Sequence, residues 1–345
     1  MPKRLTKSFQ TILGFLLAAI FLYLAFRGVN FGDLWNSLRS VDYLWASLLI
    51  PIIVISHWLR AVRWAYLLSP VKEKMSRHKL FSAVMIGFMV NNVLPRVGEV
   101  VRAFAIGRSE GISRSSAFGT VVVERIIDML TFLSILSGVL FLYPHSLDPF
   151  VDDVEAVRPF FLVGSLLCVA IFIVLFFKAE SLFGVLNLLK PLVPKGYRER
   201  YQRLVDSFLS GFSVARRHDK FAAIIGLSFL MYFFYALGLY VPIFAFEGLA
   251  GHNLDFGSSV ILLTISSIAF VLPAPGALGT YHSFLTVGLV KLYGVDDITA
   301  LSFSIVTHEA GYILTTVFGL FYFIKDHLKV SEVALEATEG TRSSV

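Results

Sequence analysis

The stretch NNVLPRVGEVVRAF, Asn91 to Phe104, decides how this chain is built. Apolar residues lead into it, so a helix is under way when Leu94-Pro95-x-x-Gly98 interrupts it. Proline removes a backbone donor and clashes with the preceding turn, and glycine reaches conformations closed to other residues. Arg96, Glu99 and Arg102 crowd the same break with charge. A second apolar stretch, FVLPAPGALGTYHSF at Phe270 to Phe284, is interrupted in the same way at Leu272-Pro273-x-x-Gly276.

The composition says what surrounds these breaks. Of 345 residues, 56% are hydrophobic and 16% charged, and the mean hydropathy is +0.75. Soluble domains carry about 25% charged residues, so the chain reads as a polytopic membrane protein. The net charge of +6 and pI near 9.3 do not point to nucleic acid, because the basic residues lie between apolar spans. Cys168 is the only cysteine, which excludes an intrachain disulfide and a thiolate metal site. The basic start MPKRLTK precedes an apolar run to Phe26 with no small-residue cleavage site, so a retained first helix is expected.

A helix needs ~20 apolar residues to cross the hydrocarbon. Six segments qualify: 9–26, 43–67, 117–142, 159–177, 221–246 and 298–324. The halves of the broken regions 80–107 and 258–293 are too short, so each region reads as a re-entrant helical hairpin. On that reading Lys72, Lys74, Arg77, Lys79, Arg108, Arg114 and the basic connection 178–220 all face the cytoplasm. The acidic loop HSLDPFVDDVEAVRP faces outward, as the positive-inside rule requires. The expected fold is therefore all-α, with about six transmembrane helices plus two re-entrant hairpins in an inverted-topology repeat. Two proline–glycine kinks matching by chance is the plainer alternative. The expected location is the inner (plasma) membrane, with both termini cytoplasmic. Residues 1–328 form the membrane domain, and 329–345 a polar, disordered tail. Tyr201, Val205, Phe208 and Phe212 share one face, which predicts an amphipathic surface helix over 197–217.

After each break a new half-helix begins, and its positive end points into the membrane core, where it attracts anions. The substrate-binding candidates are thus Arg96, Gly98, Glu99 and Arg102 at the first break, and Pro275, Gly276 and His282 at the second. A structural ion pair pinning the first hairpin is the alternative. A second group consists of ionisable residues deep in spans: Glu124, Arg125 and Asp128 in VVVERIIDML, and His308 and Glu309 in THEAGY. Such residues mark pathways or charge relays; helix-to-helix hydrogen bonding is the bland alternative. His308-Glu309 opens like a zinc-protease motif, but Tyr312 stands where the second histidine belongs, and no metal or other cofactor is expected. His57, Arg60 and Trp64 share a face, and Arg60 and Arg63 are expected to snorkel to the cytoplasmic surface. No phosphate-binding glycine loop or nucleophile elbow is present, so a transporter is favoured over an enzyme and no catalytic residue is assigned.

NNVLPRVGEVVRAF, VVVERIID and LPAPGALGTY together resemble the lysylphosphatidylglycerol synthase transmembrane-region family, a group of flippase-like membrane proteins. The resemblance runs to about Lys325 and implies a lipid-translocating half without the soluble aminoacyl-transfer domain. It implies functional roles for Arg96, Glu99, Arg102, Glu124, Arg125, Asp128, Pro275 and Gly276. His282 stands where an acidic residue is common, and Ala277 replaces a usual glycine. The expected function is translocation of an anionic or aminoacylated phospholipid, or of a polyprenyl-phosphate-linked lipid, with membrane lipids as partners. A homodimer or an envelope-complex partner is left open. The rivals are an intramembrane enzyme acting on a lipid-linked phosphate or sugar, and a non-catalytic partner of an envelope lipid-modifying complex.

Overall fold

The computed structural model describes residues 15–147, 154–177 and 218–326, with Arg198, Glu199, Gln202, Val205 and Asp206. Among these residues the fold is all-helical, with no strand. The expected surface helix 197–217 falls almost wholly outside the described residues, and the tail 329–345 and the first fourteen residues fall outside entirely.

Helix α1 (Phe15–Phe26) meets α2 (Phe31–Arg39) at an angle of 85°. Gly28, at φ 78°, makes that bend, and Asn30 caps α2 by accepting the Gly32 amide at 2.9 Å. Helix α3 (Tyr43–Ser47) starts on the Asp42 cap and runs into α4 (Leu49–Leu68). Helices α5 (Arg77–Val93) and α6 (Gly98–Glu110) flank the first break, and α7 (Arg114–Leu142) follows. After α8 (Val154–Phe177) and α9 (His218–Tyr240), helices α10 (Phe256–Ile268) and α11 (Thr280–Tyr293) flank the second break. Helix α12 (Asp297–Lys325) closes the described chain.

Among the described residues, three helical stretches, 43–68, 114–142 and 220–245, are long and apolar enough to cross a membrane, and the bent pair α1–α2 makes four. Helix α12 has 29 residues, ample length, but Thr307, His308, Glu309, Tyr312, Thr315 and Thr316 dilute its apolar character.

Each break joins two helices folded back on one another. In α5–α6, a Cβ on Gly98 would lie 1.9 Å from the Gly87 carbonyl oxygen, so two glycines let the backbones touch. The open ends of this hairpin also meet. Lys79 donates to the Ser109 carbonyl at 2.8 Å, and Lys72 and Lys79 both reach the Glu110 carboxylate, at 2.6 and 3.2 Å. In α10–α11, Asp255 caps α10 through the Ser258 amide, and His252 Nδ1 donates to the Tyr293 carbonyl at the far end of α11. The order long helix, hairpin, 29-residue helix thus occurs twice, as α4–α7 and as α9–α12.

Two larger apolar cores are centred on the two halves, the first also drawing in Ile224 and Tyr322. One gathers Trp64, Leu67, Leu80, Met85 and Ile106; the other gathers Phe246, Leu262, Leu285 and Phe303. Helix α5 packs along α12 between them, where Gly319 presses on Met89 and Ser82 donates to Asp326. The outer faces carry exposed Leu44, Phe141, Phe160, Phe270 and Phe321, the apolar exterior expected of a protein in lipid.

Candidate functional site

Positions 57, 60, 64 and 67 of α4 follow the helical period, so His57, Arg60, Trp64 and Leu67 share one buried face, with Arg63 beside them. Helix α7 presents Glu124 and Asp128, four residues apart, to that face. Arg60 Nη1 donates to Glu124 and, at 2.9 Å, to Asp128, while its Nη2 donates to the Tyr235 hydroxyl at 2.9 Å. Arg63 Nη2 donates to Asp128 at 2.5 Å and lies 3.4 Å from Glu124; its Nη1 donates to Ser228. Both arginines are buried, Arg63 completely, so neither snorkels to the surface as the sequence suggested. Two carboxylates inside the helix bundle hold them there, because an unpaired buried charge costs several kcal/mol.

Two more arginines close on Glu124. Arg102, from α6, reaches it at 3.1 Å and lies over the Trp64 ring at 4.8 Å. Arg125 reaches Glu124 at 3.2 Å and Asp128 at 3.4 Å. Four guanidinium groups therefore surround two carboxylates, an excess of positive charge. Arg125 is the exposed member, with 40% of its side chain accessible.

A small cleft opens beside this cluster, lined by Gly87, Asn91, Gly98, Glu99, Arg102 and Arg125. Its volume of about 20 Å³ admits roughly one water molecule. At its wall the Gly98 amide, first of the half-helix α6, donates to Asn91 Oδ1 at 2.8 Å. Glu99 brings a carboxylate oxygen that is buried without a hydrogen-bond partner, so Arg102 satisfies Glu124 rather than its near neighbour. Arg96 sits apart. It is exposed, takes the left-handed conformation at φ 66°, and donates to the Val271 carbonyl of the second break at 3.2 Å.

The second break turns at Pro275–Ala277. Gly276, at φ 54°, lies between Tyr312 and Asn92, and a Cβ there would come within 2.6 Å of the tyrosine ring. Its carbonyl accepts from His308 Nε2 at 2.8 Å. Asn92, three residues before Pro95, donates to the Tyr312 carbonyl and to the Thr315 and Thr316 hydroxyls, at 2.8–3.2 Å. The two breaks therefore touch, through Asn92, Arg96, Gly276 and Tyr312. Thr280 starts α11 and donates back to the Ala277 carbonyl, which aims His282 toward α12. His282 Nε2 lies 3.8 Å from Glu309, and His308 Nδ1 lies 3.1 Å from the same oxygen. These three side chains are the donor set able to hold a metal ion among the described residues.

The expected site residues thus form two groups. Arg102, Glu124, Arg125 and Asp128 join the charge cluster, with Gly98 and Glu99 at its edge. Pro275, Gly276, His282, His308 and Glu309 gather at the second break, and Arg96 links the two. Reading the sequence missed Arg60 and Arg63 as cluster members, and Asn91 and Asn92 as its polar frame. Charge balance was a partial signal: two acids deep in one span require cations, but it does not say which arginines supply them.

The profile of the family described as lysylphosphatidylglycerol synthase TM region matches residues 11–319. A UPF0104 membrane protein of Methanothermobacter thermautotrophicus is 25% identical over 90% of this chain and 91% of its own length. A second such protein from that organism is 25% identical over 74% of this chain and 78% of its own. Glycosyltransferase AglD of Haloferax volcanii is 24% identical over 97% of this chain, which spans 57% of that longer protein. No solved structure matches.

Proposed function

This chain belongs to the lysylphosphatidylglycerol synthase TM-region family, a family of integral membrane proteins, and on that footing we propose that it translocates lipids with a phosphate-bearing headgroup. The observation that carries the reading is the buried excess of arginine beside Glu124 and Asp128, opening on a cleft at the first break. Positive charge inside a bilayer is costly, and it is retained where it faces a cavity or pathway. Arg102 and Arg125 would receive the phosphate, the Gly98 end of α6 would add its dipole, and Glu99 would hold an ammonium or hydroxyl of the headgroup. The second break, with Pro275, Gly276 and His282, would form the opposite wall, and His308 and Glu309 would carry charge during the cycle.

In this reading the two hairpins are re-entrant, the two halves an inverted repeat, and the protein a resident of the inner membrane with cytoplasmic termini. The contact between the breaks supports a single site shared by both half-helices, as in transporters that rock two repeats around a fixed midplane site. A cleft for one water is a closed state, so passage of a headgroup requires the breaks to part. The ties from Asn92 to α12 and from Arg96 to Val271 are what would open. A polyprenyl-phosphate-linked sugar is the second substrate reading, favoured by the kinship to a glycosyltransferase. It shares the phosphate and therefore the same site.

Native mass spectrometry of the protein in mild detergent tests this, with Arg102→Gln and Arg125→Gln beside the wild type. The wild type should retain one class of phosphate-bearing lipid, and each variant should lose it while keeping its elution profile. Equal, unselective lipid retention by all three folded proteins refutes the assignment.

A further inference from the structure

Tyr312 occupies the place where a helical zinc motif beginning His308-Glu309 would put its second histidine. The fold supplies the missing imidazole from another helix. His282, in the first turn of α11, brings Nε2 to 3.8 Å from Glu309 Oε1, and His308 Nδ1 stands 3.1 Å from the same atom. One donor atom from each residue lies within 4.8 Å of the other two. Donors sharing a zinc ion bind it at about 2.0–2.2 Å and so stand roughly 3–4 Å apart, and the widest pair here has to draw in by about 1 Å when an ion binds.

The hydrogen bonds around the cluster call for a cation at its centre. The Gly276 carbonyl can only accept, so His308 Nε2 bears a proton and donates it over 2.8 Å. In the tautomer with its single proton on Nε2, His308 aims the Nδ1 lone pair at a carboxylate oxygen at 3.1 Å. Two electron-rich atoms at that distance repel unless a proton or a metal ion lies between them. His282 Nε2 faces the same oxygen at 3.8 Å, so three potential ligand atoms converge there. Two imidazoles and a carboxylate are the borderline set that zinc prefers. The bond from His308 to the Gly276 carbonyl is the outer contact that fixes the tautomer of a ligating histidine. Both imidazoles are buried, His308 against Tyr281 and Tyr312 and His282 against Tyr281, while 35% of the Glu309 side chain remains accessible.

We propose that His282, His308 and Glu309 bind a divalent transition-metal ion of the zinc class at the second break. Coordination through His282 Nε2 moves that ring's proton to Nδ1, so the Gly279 amide, which now donates to that nitrogen at 3.3 Å, must turn away as the metal binds. Three protein ligands leave a position open on the Glu309 side for water or an anionic oxygen. The ion joins α11 to α12 and, through His308, fixes the Gly276 turn. Metal binding does not rest on the lipid reading; only occupation of the open position by a headgroup phosphate does.

Full-length protein, freed of any affinity tag and stripped with a chelator, is titrated with Zn²⁺ by calorimetry and with Co²⁺ by visible absorption. One equivalent should bind, giving the intense Co²⁺ bands of a low-coordinate site, and His282→Asn and His308→Asn should weaken binding at least tenfold. Thermal unfolding without metal shows whether those variants remain folded. If they do not, Glu309→Gln, which keeps the shape of the carboxylate, must show the tenfold loss. No saturable binding by folded wild type overturns the proposal and leaves a proton between His308 and Glu309. Equal binding by wild type and folded variants overturns it as well. No lipid enters this measurement, so failure of the metal site and failure of the lipid site are read separately.

Discussion

Replacing Glu124 by glutamine removes the carboxylate that three buried arginines and the half-exposed Arg125 share. Glu124 is fully buried, touched by Arg60, and lies 3.4, 3.1 and 3.2 Å from Arg63, Arg102 and Arg125. Asp128 cannot take over, because none of its contacts reaches Arg102. Breaking a buried ion pair by removing one partner costs about 3–5 kcal/mol. With an unfolding entropy of ~2.1 cal/mol/K per residue, a 345-residue chain should lose about 4–7 °C in Tm. The discriminating measurement is a double-mutant cycle with Arg102→Gln, because Glu124 is the only carboxylate within ion-pair distance of Arg102 among the described residues. The double variant returns the cluster to its original net charge and should recover roughly 1–3 kcal/mol of coupling. Thermal unfolding in detergent, followed by tryptophan fluorescence and circular dichroism, reads all four corners. An unchanged Tm for Glu124→Gln, or strictly additive losses, would refute the view that charge balance holds this cluster together.

Two further outcomes follow from the breaks and their margins. Ala277 takes φ 57°, a conformation that costs a residue with a Cβ roughly 1 kcal/mol, so Ala277→Gly should raise the Tm slightly, whereas Gly276→Ala should lower it by driving a Cβ into Tyr312. At the mouth of the first hairpin, burial pushes the Glu110 carboxyl up, but hydrogen bonds from Lys72 and Lys79 outweigh it and hold the group below its ordinary range. A depressed carboxyl stabilises the fold above its unfolded value of ~4.3 and loses that contribution as pH falls through the folded value. The acid limb of the stability profile should therefore flatten in Glu110→Gln, as urea unfolding at a series of pH values below 5 would reveal.

Much of this was legible in the sequence because broken helices leave strong local marks. Proline followed by glycine three residues later predicted both breaks, and the length of the flanking halves predicted that each would fold back. The contacts between helix ends, Lys79 with Ser109 and His252 with Tyr293, agree with that hairpin geometry. The departure at Ala277 was visible too, and its left-handed backbone gives the physical reason a glycine suits the position. What stayed hidden was pairing across the bundle. Arg60 and Arg63 lie near a helix end in sequence, where a long side chain ordinarily escapes to water. Only the packing of α4 against α7 and α9 puts Glu124, Asp128, Tyr235 and Ser228 around them. Asn91 and Asn92 carry no charge and gave no signal, yet one caps the Gly98 amide and the other binds the two breaks together.

The two halves share an order of elements but not their chemistry, and the difference bears on how a single site could work. The first break is surrounded by fixed charge, since arginine does not release its proton in proteins, and its neighbours from α4 and α7 are locked by multiple hydrogen bonds. The second break holds His282, His308 and Glu309, groups whose charge depends on a bound proton or ion. A transporter that must release what it binds needs one partner of constant sign and one whose charge can change. On the proposed lipid function, the first break would attract a phosphate at every stage of a cycle. The second, tied to it through Gly276 and Asn92, can tighten or loosen that hold according to what sits between His308 and Glu309. Lipid retention in the wild type should therefore respond to added Zn²⁺, and that response should vanish in His308→Asn while the charge cluster stays intact.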